Sequence, residues 1–531
     1  MMLRRLFPVF SLLTFSARAV PIVDLGYATY AGTSLSAGVD QFLGMRFAAP
    51  PVGHLRWRAP ADPVVETGLV DDSSHGSVCY NLEAAFDPTG TTLSEDCLFI
   101  DVYAPALTKN KLFPVWFFIQ GGGYIEDFNP DYNGTDVVVQ SGGNVRDAPG
   151  LHNVVLVTFN YRVGAFGFLA SERVSRDGAL NVGLLDQRKA LLWVNKHISK
   201  FGGDPNHVVI HGVSAGAGSV THHLTAFGGR NDGLFIGAIG ESVFWPREVP
   251  VSELEFQFDL FASAAGCAGS IDQMACLRKQ NTSTLVTANI GHPFLGRAAN
   301  PQFFYTPTID GDFVQDHLYT LFQEGKFIQV PMMLGDDEKE GTFFAANAST
   351  PAAVVSFLMD NYPVLTPADG VQITELYPLL PMLPQHAAFF PSAAAAYGEA
   401  TFTCPSNFIA TRMDAVGLPV WNYRFSVVQE DVEALGLGVP HASALPAIFG
   451  PDSIPDRTST FTTTNAPMVP IVMNYWISFI RALNPNSFRL EGTPEWMQFQ
   501  SAKPTRLQFD VPQDERERCA FWNGIGVRIE Q

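Results

Sequence analysis

The chain has 531 residues, 47% hydrophobic and 16% charged. That is enough apolar surface for a large packed core and too little charge for a disordered polymer. A formal net charge of −19 argues against nucleic acid and anionic membrane surfaces as partners.

In chain order, the first segment is MMLRRLFPVFSLLTFSARAVP. Arg4 and Arg5 precede an apolar run from Leu6 to Phe15, and Ala17-Arg18-Ala19 has the small-x-small spacing of a cleavage site. This predicts a secretory signal peptide over 1–19, cut near Ala19 and Val20, with 20–531 as a single domain. The run is too short to span a bilayer, so no stable membrane association is expected. Secretion changes how the cysteines read. Their number is even (Cys79, Cys97, Cys267, Cys276, Cys404 and Cys519), which suggests disulfides, although the residues alone leave every pairing open. Sequons at Asn133, Asn281 and Asn347 predict surface glycosylation.

Further along, strand-like runs alternate with helix-like ones. Strands are predicted at 113–119, 153–159, 207–211, 330–334 and 419–427, and a helix over about 183–201. In that helix Leu191, Val194, Ile198 and Phe201 repeat at threes and fours and form one buried face. Asp186 lies near its start, Lys196 and Lys200 near its end, and Gly202-Gly203 stops it. The alternation predicts an α/β fold, a large mostly parallel central sheet with helices on both faces.

The predicted strand 207–211 runs into Gly-Val-Ser-Ala-Gly, residues 212–216. With 46 glycines in the chain, roughly 0.3 matches to Gly-x-Ser-x-Gly are expected by chance, so the pattern acquires meaning only from its context. The context is strand, tight turn and a second helix predicted from Ala215 onward. Such a turn lifts a serine hydroxyl above the sheet and tolerates only small neighbours, here Gly212, Ala215, Gly216 and Gly218. The helix then aims its free N–H groups at the same point, with Ala215 as the natural oxyanion donor. A glycine loop, Gly121-Gly122-Gly123, follows the strand 113–119 and could supply further donors.

A hydroxyl nucleophile needs a base, and the base an orienting acid, in the chain order serine, acid, histidine. His222 and His223 fall on the helix after the turn and read as structural. His441 falls in a loop after the strand 419–427, where this topology places a base. For the acid, Asp336, Asp337, Glu338 and Glu340 compete in the turn GDDEKEG after the strand 330–334. Composition does not choose among them.

Longer motifs choose. FLGMRFAAPPVGHLR (42–56), EDCLFIDVYAP (95–105), NYRVGAFGFL (160–169) and the run from Asp186-Gln187-Arg188 to FGGDP (201–205) resemble the type-B carboxylesterase/lipase family of α/β-hydrolases over nearly the whole chain. The resemblance implies Glu340, which precedes Gly341-Thr342, as the acid. It implies His441 as the base, Ser214 as the nucleophile, and Gly122, Gly123 and Ala215 as the oxyanion donors. It also implies the disulfides Cys79–Cys97, Cys267–Cys276 and Cys404–Cys519, with no metal or organic cofactor. Two positions depart from the family pattern: Val213 stands where a glutamate is usual, and Gln120 where a histidine is common. The missing glutamate weakens any case for a cationic, choline-type substrate.

The expectation is therefore a secreted serine carboxylesterase that takes small-molecule esters through an acyl-enzyme. Two rivals share that chemistry: a lipase working at oil–water interfaces, and a tailoring hydrolase for a metabolite lactone or acetyl ester. A rival of another class is an inactive cholinesterase-like adhesion domain, which commonly lacks the serine present here. Phe244, Trp245, Phe343, Phe344, Phe389 and Phe390 are candidates for an acyl pocket. Oligomeric state is left open.

Overall fold

The computed structural model describes residues 20–83, 92–106, 111–127, 129–143, 154–451, 460–507 and 513–531. The expected signal peptide lies outside them. Among the described residues, nine strands form one sheet. They are β1 (Thr33–Ser34), β2 (Val39–Arg46), β3 (Phe99–Pro105), β4 (Phe113–Ile119), β5 (Val155–Phe159), β6 (Gly203–Val213), β7 (Gly237–Glu241), β8 (Met332–Asp337) and β9 (Val420–Phe425). Their order in space is β9-β8-β7-β6-β4-β5-β3-β2-β1. Every pair from β9 to β5 is parallel, and every pair from β5 to β1 is antiparallel.

The alternation of side chains along β4 shows why both faces are covered. Val115, Phe117 and Ile119 enter one core with Ile210, Leu334, and Leu191, Val194, Val220 and Leu224. The last four come from α1 (Val182–His197) and α2 (Ala215–Gly229). Trp116 and Phe118 enter the opposite core with Val209, Ile239, Met333 and Trp421. There they meet Trp476, Phe479 and Ile480 of α3 (Met468–Ala482). A strand buried on both faces must be apolar throughout, as FPVWFFI is. Each such side chain contributes roughly 1.5–3 kcal/mol on burial.

The helix predicted over 183–201 is α1 followed by a tighter 3₁₀ turn, Ile198–Phe201, and Gly202 ends it at φ 83°. Asp186 is not a solvent-facing charge at the helix start. It is fully buried, and both its carboxyl oxygens accept from Arg162 at 2.7 Å. Directly after Gly202, β6 begins at Gly203, with a register shift between Gly203 and Val208.

The sulfurs are joined as Cys79–Cys97, Cys267–Cys276 and Cys404–Cys519. The third bridge closes 115 residues and ties the helix Cys404–Ala415 to Gln513–Ile525. Asn133, Asn281 and Asn347 are all exposed. Among the described residues no helix is long and apolar enough to cross a membrane.

Candidate active site

Ser214 stands where β6 turns into α2, with φ 57° and ψ −125°. A non-glycine residue there costs on the order of 1–3 kcal/mol, so its surroundings must hold it. Its N–H donates to the Glu241 carbonyl at 2.9 Å, which pins the turn to β7. Crowding explains the small neighbours: a β-carbon on Gly212 would lie 2.1 Å from the Gly216 oxygen, and one on Gly216 would lie 2.0 Å from the Ile119 oxygen. Ala215 opens α2, so its N–H belongs to the first turn, where no intrahelical acceptor exists.

The glycine loop runs directly against this turn. A β-carbon on Gly121 would sit 3.0 Å from the Ser214 Cβ. Gly122 and Gly123 adopt φ 103° and 61°, and the N–H groups of Ile125 and Glu126 both donate to the Gly122 carbonyl at 2.9 Å. A β-carbon on Gly123 would enter the Phe303 ring.

From the far side of the sheet, the turn after β8 and the loop after β9 meet. The Lys339 N–H donates to the Val439 carbonyl at 2.9 Å, and the Thr342 hydroxyl to the Leu437 carbonyl at 2.8 Å. This backbone zipper brings His441 Nδ1 to 2.5 Å from Glu340 Oε2, while Glu340 Oε1 accepts the Asp337 N–H at 2.7 Å. Both side chains are buried. The four competing acids therefore separate. Asp336 pairs with Arg424 at 2.8 Å and with Arg506 at 3.4 Å. Asp337 Oδ2 accepts the Ser443 N–H at 3.1 Å, bracing the histidine loop. Glu338 is half-exposed beside Lys339. Glu340 alone of the four meets His441.

The ground behind this pair is acidic. Burial, followed by the charge of Glu340, pushes the Glu241 carboxyl well above the usual carboxylate range. Burial, Glu340 and Glu241 do the same to Asp337. Carboxyls packed this closely in a low-dielectric interior cannot all ionise. His211, driven down to about 3 by burial, stays neutral. Its Nδ1 accepts from Trp116 Nε1 at 3.0 Å, so Nε2 carries the proton and faces Glu241 at 3.3 Å.

His222 and His223 are buried in α2 with partners of their own, Glu248 at 2.8 Å and Gln187 at 3.1 Å. His386 stacks on Phe390 and His317 lies beside Asp316. Of the aromatic candidates, Phe344 packs its ring on His441 at 5.1 Å, and Phe244 meets Phe303 at 4.7 Å. Trp245 instead packs among Tyr319, Phe322 and Phe408, and Phe343 is 52% exposed. Phe390 is buried against His386, and Phe389 packs partly buried at the start of the same helix. Two rings escaped the sequence reading. Phe303 covers Gly123, and Phe402 lies 4.5 Å from the His441 ring, on a π-helical turn, Glu399–Thr403. No local pattern marks either one, because each reaches the site from a distant part of the chain.

A buried histidine held by a carboxylate, with a strained serine beside a helix N-terminus and a glycine loop, can carry acyl transfer. Comparison with known proteins agrees. Residues 19–522 match the model of the carboxylesterase family. Secreted lipase 1 of Botryotinia fuckeliana (strain B05.10) is 30% identical over 506 residues, covering 87% of this chain and 84% of the relative. Lipase 1 of Geotrichum candidum is 33% identical over 391 residues, covering 65% of this chain and 67% of the relative. The crystal structure of Aspergillus niger EstA superposes with a TM-score of 0.92 at 48% identity, covering 97% of this chain and 99% of that one. The chain belongs to the carboxylesterase family, adopts the α/β-hydrolase fold, and is a carboxylic ester hydrolase.

Proposed function

We propose that this chain is a secreted serine carboxylesterase for soluble short- to medium-chain esters. Ser214 attacks the ester carbonyl, and His441 takes its proton and passes it to the leaving alcohol. Glu340 fixes the imidazole tautomer and stabilises the cation. The N–H groups of Gly122, Gly123 and Ala215 bind the tetrahedral oxyanion. Water then enters by the same route in reverse and releases the acid. The observation that carries this reading is the 2.5 Å contact between His441 Nδ1 and Glu340 Oε2, on loops that follow strands of the same sheet that leads into the glycine triplet and Ser214. Secretion is supported by the leader at 1–19, the three disulfides and the name of the Botryotinia relative.

The acyl preference rests on the rings. Phe244, Phe303, Phe344 and Phe402 form one cluster, with centroids 4.7 to 5.8 Å apart, between the glycine loop and His441. Both named relatives are called lipases, which favours a second reading, action on long-chain glycerides at an interface. Against it, Cys79 and Cys97, which close one loop, stand only 18 positions apart, and the acids of that loop, Glu95 and Asp96, are held by Arg56 and Arg46 at 2.5 Å. Residues 84–91 of that loop lie outside the described residues. An ester panel graded by acyl length and carried through the solubility limit tests the choice. Hyperbolic kinetics with no jump at the limit support the esterase. A sharp activation there, with preference for long-chain emulsions, supports the lipase.

A further inference from the structure

Three consecutive glycines make the least restrained backbone a chain can have, yet an oxyanion hole works only if its donors are fixed before the charge develops. Something must hold 121–123 in place. The Gln120 side-chain amide, immediately before the triplet, donates to Asp127 Oδ1, seven residues on. This side-chain bond closes the neck of a loop that contains all three glycines. Inside the neck, the Gly122 carbonyl takes the N–H groups of Ile125 and Glu126. Outside it, the Tyr161 hydroxyl donates to the Gln120 carbonyl at 3.1 Å.

Asp127 is 1% exposed and is fixed from the other direction as well. Its Oδ2 accepts the Cys79 N–H at 2.9 Å, and its own N–H donates to Asn81 Oδ1 at 2.8 Å. Asn81 is held in turn by Asn289, whose Oδ1 accepts the Ala165 N–H at 2.8 Å. The carboxyl thus sits on the disulfide loop at Cys79 and grips the glycine loop through Gln120. The position before the triplet is one of the two at which this sequence departs from the family pattern, and the departure has a bonded partner.

We infer that Asp127 is a positioning residue for the oxyanion loop, acting through Gln120 to hold Gly122 and Gly123 in register with Ser214. The inference rests on the assignment of those glycines as oxyanion donors. Burial pushes the Asp127 carboxyl up to about 7, against the pull of the Cys79, Gln120 and Asn129 donors, with Asp101 adding to the rise. The other ionisable group set against it is Tyr161. The test is therefore run near pH 8, where the carboxylate dominates.

Gln120→Met removes the donor with little change of volume, and Asp127→Ala removes the acceptor. Each should lower kcat by about 10- to 100-fold, with KM within about twofold, because misplaced donors weaken the transition state more than the bound ester. The double variant should be no slower than the slower single, since both act through one bond. Asp127→Asn should keep kcat within about threefold, because its amide can bond the Gln120 amide once that side chain flips. Unchanged kcat in folded Gln120→Met, a loss confined to KM, or additive losses in the double would each overturn the inference. If Asp127→Ala fails to fold, the contrast between Gln120→Met and Asp127→Asn still decides. Ser214→Ala, run beside them, separates this inference from the mechanism it rests on. An inactive Ser214→Ala with a fully active Gln120→Met sinks only the inference, whereas an active Ser214→Ala sinks the mechanism.

Discussion

Glu340 divides its two carboxyl oxygens between its own turn and an imidazole: Oε1 takes the Asp337 N–H at 2.7 Å, and Oε2 faces His441 Nδ1 at 2.5 Å. Asp337, one turn away, uses its own carboxyl to hold the Ser443 N–H on the histidine loop. Two neighbouring acids thus serve one imidazole, one directly and one by bracing the loop that carries it.

The roles separate by substitution. Glu340→Gln should lower kcat by about 10³- to 10⁴-fold, because the amide no longer stabilises the imidazolium. Asp337→Asn should stay within about tenfold, since burial and its acidic neighbours already favour the uncharged form that asparagine mimics. Steady-state kinetics on a soluble ester measures both, and the reverse ranking would transfer the acid's role to Asp337.

Ser214→Ala and His441→Ala should each remove at least about 10⁴ of kcat, and Ser214→Ala should leave the melting temperature within a few degrees, because it removes only one oxygen. Labelling by a fluorophosphonate should vanish in Ser214→Ala. Substantial turnover or labelling in the folded serine variant would reject it as the nucleophile.

Ring size should set acyl length. Phe303 is partly buried over Gly123, and Phe303→Ala removes the ring that covers it. The ratio of kcat/KM for a long over a short acyl chain should rise by about tenfold or more, the scale of a few methylenes in an apolar pocket. A ratio that does not move would place the acyl chain elsewhere.

Asp72 gives a pH-dependent stability. It is 1% exposed, and its Oδ2 has no hydrogen-bond partner among the described residues. Burial, then the charges of Asp101 and Asp71, raises it to about 9 from 3.8. Between those values the folded chain keeps a proton that the unfolded chain releases, so stability falls as pH rises through that window. Asp72→Asn removes this term. The loss of unfolding free energy between pH 5 and pH 8 should shrink by ~2–4 kcal/mol, measured by denaturant titration at both pH values. An unchanged difference would show that Asp72 ionises freely in the fold.

Much of this protein is legible in the order of its residues. A strand buried on both faces has to be apolar along its whole length, so FPVWFFI and its counterparts announce a parallel sheet. A turn as tight as that at 212–216 admits only small side chains, so Gly-Val-Ser-Ala-Gly announces a serine at its tip. The even set of cysteines and the family motifs point to three bridges, and the sulfurs are joined in those pairs. What local sequence does not hold is which side chains meet across the sheet. The acidic turn offered four carboxyls with equal claims by composition, and only the pairing of 339 with 439 and the cations Arg424 and Arg506 distribute them. Phe303 and Phe402 reach the site from segments far apart in the chain, and Asp127 owes its place to Cys79 and Gln120. Periodicity reports which face of an element is buried. Contacts between elements follow from the closure of the whole sheet, so the partners of a buried charge or ring emerge only in the tertiary structure.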